Sequence, residues 1–206
     1  MHTISIHRSV VAIVLAAGLS SRMGEPKLLL DLGGQPLIRR TVERVLKGGF
    51  QDLVVVLGRE ADQIRGALAG LPVRFCVNAD PAAGQASSIK AGVGALQRGT
   101  TGALIALGDQ PTIPTQVIPR LIGIFQKTGM LIVAPVYRGT QGNPVLFGSA
   151  IFPGLQRLEG DQGAKSLIER EAAQVIQVPF DLPMPPDVDT DADYEVVKKE
   201  FQSPAK

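Results

Sequence analysis

Short apolar runs alternate with helix-period segments along almost the whole chain. Residues 10–15 form an unbroken, largely β-branched run, the pattern of a strand buried on both faces. After a long loop, Pro36 opens a helix whose apolar positions Leu37, Val42, Val45 and Leu46 share a face, and Gly48-Gly49 ends it. Residues 53–57 predict the next buried strand and 60–68 the next helix; 73–77 predict a third strand, with a helix from Gly84 through 96. A further apolar run, 103–107, ends in Gly108-Asp109-Gln110-Pro111; Pro114 then opens a helix to about 127, and 131–136 follow as a strand.

That alternation predicts βαβ units: a three-layer α/β/α, Rossmann-like fold with a mostly parallel sheet and right-handed crossovers. Residues 143–180 leave the rhythm, with short strands at 144–147 and 175–179 and short helices near Leu155 and over 164–170. They read as an insertion whose small antiparallel element covers one side of the site. Thr190, with Asp193 three residues on, caps a final helix to about 201. The 206 residues fit one domain, 1–206. In open α/β sheets ligands bind beyond the carboxyl ends of the strands. The loops starting at Ala16, Asn78, Gly108 and Gln141 are therefore where chemistry is expected.

Composition narrows the classes. A net charge of +2 is too small to point to nucleic acid or a membrane surface, and 4% aromatics with no Trp offer no set of base-stacking platforms. One cysteine, Cys76, cannot form an internal disulfide, which fits a reducing, cytoplasmic setting; lying in an apolar strand, it reads as a structural thiol. No apolar run reaches the roughly 18 residues of a membrane span. Residues 10–19 do resemble a short signal sequence, but Arg22, Lys27 and an amphipathic helix follow, which favours a first strand. His2 and His7 are the only histidines, which argues against a Ser-His-Asp hydrolase and a His-ligated zinc site. Ser20 and Ser21 lack the G-x-S-x-G elbow.

The loop after the first strand runs Leu15-Ala16-Ala17-Gly18-Leu19-Ser20-Ser21-Arg22-Met23-Gly24-Glu25-Pro26-Lys27. Small residues let backbone N–H groups approach a phosphate, and Arg22 and Lys27 bring positive charge to the same place. The spacing fits neither a Walker A loop nor the dinucleotide pattern G-x-G-x-x-G. Chemistry at a bound phosphate needs positioning and charge stabilisation rather than a covalent nucleophile. Mg²⁺ (or Mn²⁺) in such a site takes one or two carboxylates plus phosphates and water. Asp109, at a strand end, is the first carboxylate; Asp189, in the loop before the last helix, is the second, with Asp187 as its alternative. Asn78, Ser87 and Ser88 offer neutral hydrogen bonds to a base or ribose.

Residues 15–27 resemble the signature of the MobA-like nucleotidyltransferases, and further segments match that family in order: Gly84-Gln85-Ala86-Ser87-Ser88-Ile89-Lys90, Gly108-Asp109-Gln110-Pro111, Gly142-Asn143-Pro144-Val145-Leu146-Phe147, Gly160-Asp161-Gln162-Gly163-Ala164-Lys165 and Asp187-Val188-Asp189-Thr190. Within the family, Ala17 and Lys27-Leu28-Leu29-Leu30 are similar to the molybdenum cofactor cytidylyltransferases, whereas guanylyl-transferring relatives usually carry Gly at the place of Ala17. The resemblance implies a cytoplasmic enzyme that moves CMP from CTP to a molybdopterin-type acceptor and releases pyrophosphate, a molybdoenzyme receiving the product. It further implies that Leu15, Ala16, Ala17, Gly18, Arg22 and Lys27 hold the nucleotide, that Arg22, Lys27 and Asp109 are catalytic, and that Asn143 and Asp161 meet the acceptor. Other readings keep the chemistry with GTP or a sugar or polyol phosphate, or replace it with a non-catalytic delivery chaperone. A nicotinamide-dependent reductase lacks its dinucleotide fingerprint here.

Overall fold

Residues 9–18 and 26–202 are described by a computed structural model. Among these residues eight strands form one sheet: β1 (Val10–Ala16), β2 (Leu53–Leu57), β3 (Arg74–Val77), β4 (Gly102–Leu107), β5 (Ile132–Tyr137), β6 (Thr140–Gln141), β7 (Val145–Gly148) and β8 (Val175–Phe180). Seven α-helices among the described residues accompany them: α1 (Leu37–Leu46), α2 (Ala61–Ala67), α3 (Gln85–Gly94), α4 (Val117–Thr128), α5 (Phe152–Leu155), α6 (Lys165–Arg170) and α7 (Asp191–Gln202).

The strand order is β3-β2-β1-β4-β7-β5, with β8 on the outer side of β5 and β6 beside the last residues of β5. The pairs β1–β2, β1–β4, β2–β3 and β5–β8 are parallel, while β7 runs antiparallel to β4 and β5. The expected antiparallel element is β7, which lies inside the sheet. Strand β7 fills the place between β4 and β5, and its residues Val145–Gly148 are all buried, which explains their apolar run. The segment still flanks the site, because α5 and α6 follow β7 onto one face of the sheet.

Alternation along β1 builds two cores. Ala12, Val14 and Ala16 face the layer of α1, α2, α4 and α7, packing with Val42, Ile64, Leu121 and Val197. Ile13, Leu15 and Ala17 face α3, α5 and α6, packing with Ile89, Leu155 and Leu167. A strand covered on both faces must be apolar at every position, so the run 10–15 carried no period-two signal. Helix boundaries shift slightly from expectation: Pro36 caps α1 from outside, and Pro114 forms a turn before α4 starts at Val117. Gly49, at φ +87°, supplies the left-handed residue that lets the chain leave α1. Thr190 and Asp193 exchange hydrogen bonds at the start of α7: Asp193 N–H donates to Thr190 Oγ1 at 3.2 Å and Thr190 N–H to Asp193 Oδ2 at 2.8 Å. This is a capping box with Asp in place of Glu. No helix among the described residues is long and apolar enough to cross a membrane.

Candidate active site

In the order β3-β2-β1-β4 the chain reverses direction across the sheet between β1 and β4, which opens a crevice beyond their carboxyl ends. The loops from β1 and β4 meet there closely. Gly108 N–H donates to Leu15 O at 2.9 Å, and a Cβ on Gly108 would lie 2.7 Å from that same oxygen. Only glycine lets the two strand ends approach this far. Thr41 Oγ1, fully buried, donates to Gly108 O at 2.8 Å and holds the turn from beneath.

On this platform Asp109 leaves the sheet. Its Oδ2 accepts from Lys27 Nζ at 2.6 Å, and the same Nζ donates to Asp189 Oδ1 at 2.7 Å. Lys27 stands 82 residues from one carboxylate and 162 from the other, so three distant segments converge on one charge. Side-chain exposures of 12% for Lys27 and 18% for Asp109 distinguish the pair from the solvated ion pairs of a surface. Burial pulls the Lys27 pKa down, but Asp109 and then Asp189 outweigh it, and the ammonium titrates above its ordinary value. Asp109 Oδ1 is buried without a hydrogen-bond partner among the described residues.

Asp189 reaches this point because the loop before α7 is tied to the end of β4. Gln110, 2% exposed, donates through Nε2 to Asp187 Oδ1 at 2.7 Å, and Val188 N–H donates to Asp109 O at 3.1 Å. Of the two aspartates in that loop, Asp189 shares the cation and Asp187 faces the amide. Partial burial, then the Asp109 and Asp189 carboxylates, push the Asp187 carboxyl above its ordinary value, against the Gln110 hydrogen bond and Lys27. Sequence reasoning quoted Gln110 within its motif but gave it no part. A long amide flanked by Asp and Pro was the only signal, and its partner lay 77 residues away.

Next to Lys27 and Asp109 lies a cavity of about 340 Å³, lined among others by Ala17, Gly18, Ser88 and Asp161. Leu15 lines its wall, and Gly18, at the mouth, is exposed. Asn78 is buried behind the cavity and its polar atoms are engaged: Nδ2 donates to Ser87 Oγ at 2.7 Å and Ser88 Oγ at 3.1 Å, while Oδ1 accepts from Asp80 N–H. Ser87 in turn donates to Gly84 O. Of the three, Ser88 lines the cavity, and Asn78 and Ser87 brace it.

A second cavity of about 340 Å³ adjoins the first across Leu15, Leu107 and Gln85. Its walls are mainly apolar, with Gln141, Asn143, Gln162 and Lys165 supplying polar groups. The two residues expected at an acceptor are thus divided: Asn143 lines this second cavity, and Asp161 the first. The division follows from packing. Ala86 N–H donates to Gly160 O at 3.1 Å, and the bare Cα of Gly84 admits the Asp161 carboxylate, so the 160–163 turn is pressed against the start of α3. Arg22, Ser20, Ser21, His2 and His7 lie outside the described residues.

A larger cavity, about 910 Å³, lies at the opposite ends of the strands, beside the Arg74–Asp52 ion pair. It is remote from the lysine–carboxylate cluster and sits at the end of the sheet where α/β folds do not place ligands.

The residues at the crevice suit a hard divalent cation. Two carboxylate oxygens already converge on one positive charge, and a buried oxygen of Asp109 lacks a partner among the described residues. Among the described residues no group of three or more His, Cys, Asp or Glu side chains forms a complete ligand cage. Mg²⁺ does not require one, since it keeps waters and takes substrate phosphates.

The chain is similar to several known proteins. The chain is 30% identical to nicotine blue oxidoreductase of Paenarthrobacter nicotinovorans over 79% of its length and 82% of that protein's. It is 27% identical to the purine catabolism protein PucB of Bacillus subtilis over 92% of its length and 96% of that protein's. Rv0371c of Mycobacterium tuberculosis, solved in complex with manganese, superposes with a TM-score of 0.81 at 29% identity, over 93% of this chain and 98% of that one. The profile of the MobA-like NTP transferase domain matches residues 12–175, so the chain belongs to the MobA-like NTP transferase family, as a nucleotidyltransferase.

Proposed function

We propose that the protein transfers CMP from CTP to the phosphate of a molybdopterin-type acceptor, with Mg²⁺ or Mn²⁺, and releases pyrophosphate. The observation that carries this reading is the single Lys27 ammonium held between Asp109 Oδ2 and Asp189 Oδ1 at the β1–β4 crevice. In the reaction an acceptor phosphate oxygen attacks the α-phosphorus in line. A new phosphoanhydride bond forms as the bond to the bridging oxygen breaks, and the electron pair leaves with pyrophosphate. No group on the protein needs to become a covalent nucleophile.

The chain's own residues divide this work. The backbone of Ala16–Gly18 meets phosphate oxygens, and Lys27 and Arg22 offset the charge that builds on the leaving group. Asp109 and Asp189 hold the divalent ion, which when bound supplies positive charge to the phosphates. Ser88, with Asn78 and Ser87 behind it, meets ribose or base. Asn143, on the mainly apolar second cavity, meets the acceptor, and Asp161 lies between nucleotide and acceptor. The preference for CTP rests on the likeness of Ala17 and of residues 27–30 to cytidylyl-transferring relatives.

The test is pyrophosphate release with Mg²⁺ and purified molybdenum cofactor, comparing CTP, GTP, ATP and UTP. Release with CTP alone, lost in Lys27→Ala, is the expected result. Release with GTP instead, or only with a sugar or polyol phosphate, keeps the chemistry and changes the substrates; binding of cofactor with no release under any nucleotide leaves the delivery chaperone. One relative's name, nicotine blue oxidoreductase, favours a second reading as a reductase. It predicts oxidation of a reduced nicotinamide nucleotide with no pyrophosphate formed.

A further inference from the structure

We propose that Lys27 and the divalent ion compete for the same carboxylate pair, so that metal binds tightly only when a triphosphate draws the lysine away. The proposal rests on the metal assignment above and on neither the base nor the acceptor.

The argument is one of space and charge. Nζ lies 2.6 Å from Asp109 Oδ2 and 2.7 Å from Asp189 Oδ1. Oxygens that coordinate Mg²⁺ lie about 2.0–2.1 Å from it, nearer than either carboxylate oxygen lies to Nζ, so an ion taken up by the same two oxygens would need the position that the ammonium now fills. An ammonium and a dication cannot share that point. Nor is the pair readily left bare. Asp109 Oδ1 is buried and makes no hydrogen bond with the described residues, among which the contact of Oδ2 with Lys27 offsets the charge of that carboxylate. The exchange is therefore cation for cation.

The surroundings provide a path. The Asp189 side chain is 44% exposed, so an ion can approach the pair from solvent on that side. Lys27 itself starts a short turn anchored by Leu30 N–H to Lys27 O, which fixes the backbone while the flexible four-carbon stem can swing. The adjoining cavity, with Ala17, Gly18 and Ser88 on its walls, borders Lys27 directly. A triphosphate seated there offers the ammonium oxygens of higher charge density than one carboxylate each. Nucleotide and metal then bind with positive coupling, since the first vacates the position that the second needs.

The experiment is Mn²⁺ binding to the full chain without nucleotide, followed by electron paramagnetic resonance. Lys27→Met is expected to bind Mn²⁺ about tenfold more tightly than the unaltered protein, a coupling of ordinary size, and Asp109→Asn added to it should abolish the gain. Binding by Lys27→Met that is equal to or weaker than that of the unaltered protein overturns the proposal. A second measurement needs no variant: acylation of Lys27 by an amine-selective reagent, read by mass spectrometry. Mn²⁺ alone at saturating concentration should raise Lys27 labelling, and CTP added with it should suppress labelling again; labelling indifferent to Mn²⁺ also overturns the proposal. Both readings are independent of turnover. If Mn²⁺ displaces Lys27 while no nucleotide yields pyrophosphate, the reaction assigned above fails and the competition stands.

Discussion

Charge at the site is balanced residue by residue, and Asp187 is where the balance is worst. Lys27 pairs directly with Asp109 and Asp189, whereas Asp187 has an amide, Gln110, as its partner. Its carboxyl is raised above 3.8, so the folded protein holds this proton to higher pH than the unfolded chain does. By linkage, stability then falls as pH rises through the interval that opens at 3.8 and extends above it. At neutral pH the ionised Asp187 is a net cost. Asp187→Asn keeps an acceptor for Gln110 and removes the charge. It should melt higher at pH 7, by less than about 1 kcal/mol because solvent screens this partly exposed group. The gain should shrink as pH is lowered toward 4; a gain independent of pH, measured by calorimetry across that range, would contradict the assignment. At this scale the sequence supplied Lys27, Asp109 and Asp189 but left Asp187 and Asp189 undivided. Both fit the same motif, and the contacts of Lys27 with Asp189 and of Gln110 with Asp187 tell them apart.

At the scale of elements, the site depends on how closely β1 and β4 end. Gly108 sits where a Cβ would meet Leu15 O at 2.7 Å and Ile38 Cδ1 at 3.1 Å. Backbone cannot yield as a flexible side chain would, so Gly108→Ala should cost about 1–3 kcal/mol, the range of overpacked interiors. Because Asp109 is the next residue, the same change should also displace the carboxylate from Lys27. A denaturant midpoint unchanged from the parent protein would show that the strands can part without cost. The strands themselves were legible in the sequence because both faces are buried. The place of β7 was not, since a four-residue apolar run looks the same whether it covers the sheet or lies within it.

For the molecule as a whole, α1, α2, α4 and α7 on one face and α3, α5 and α6 on the other leave the carboxyl ends of β1 and β4 open. Both cavities next to Lys27 or Asn143 adjoin that opening. Ligands that bind there bind the folded chain only, and a nucleotide at a hundredfold its Kd adds about 2.7 kcal/mol to stability. Mg²⁺ with CTP should therefore raise Tm by several degrees, with GTP, ATP and UTP giving smaller shifts. Equal shifts from all four, read by thermal melting, would remove base selectivity from the reading. Mg²⁺ alone should shift Tm little if Lys27 holds its place.

The sequence by itself determined the layers, the order of elements along the chain and the loops that gather at the carboxyl ends of the strands. These follow from local periodicity, from capping at Thr190 and Asp193, and from the small residues that follow the first strand. Only the tertiary structure decided that Lys27, Asp109 and Asp189 meet at one point, that Gln110 ties Asp187, and that Asn143 and Asp161 line different cavities. Those contacts span from tens of residues to well over a hundred, and each depends on a packing detail, such as the bare Cα of Gly84 or Gly108, that no periodicity records.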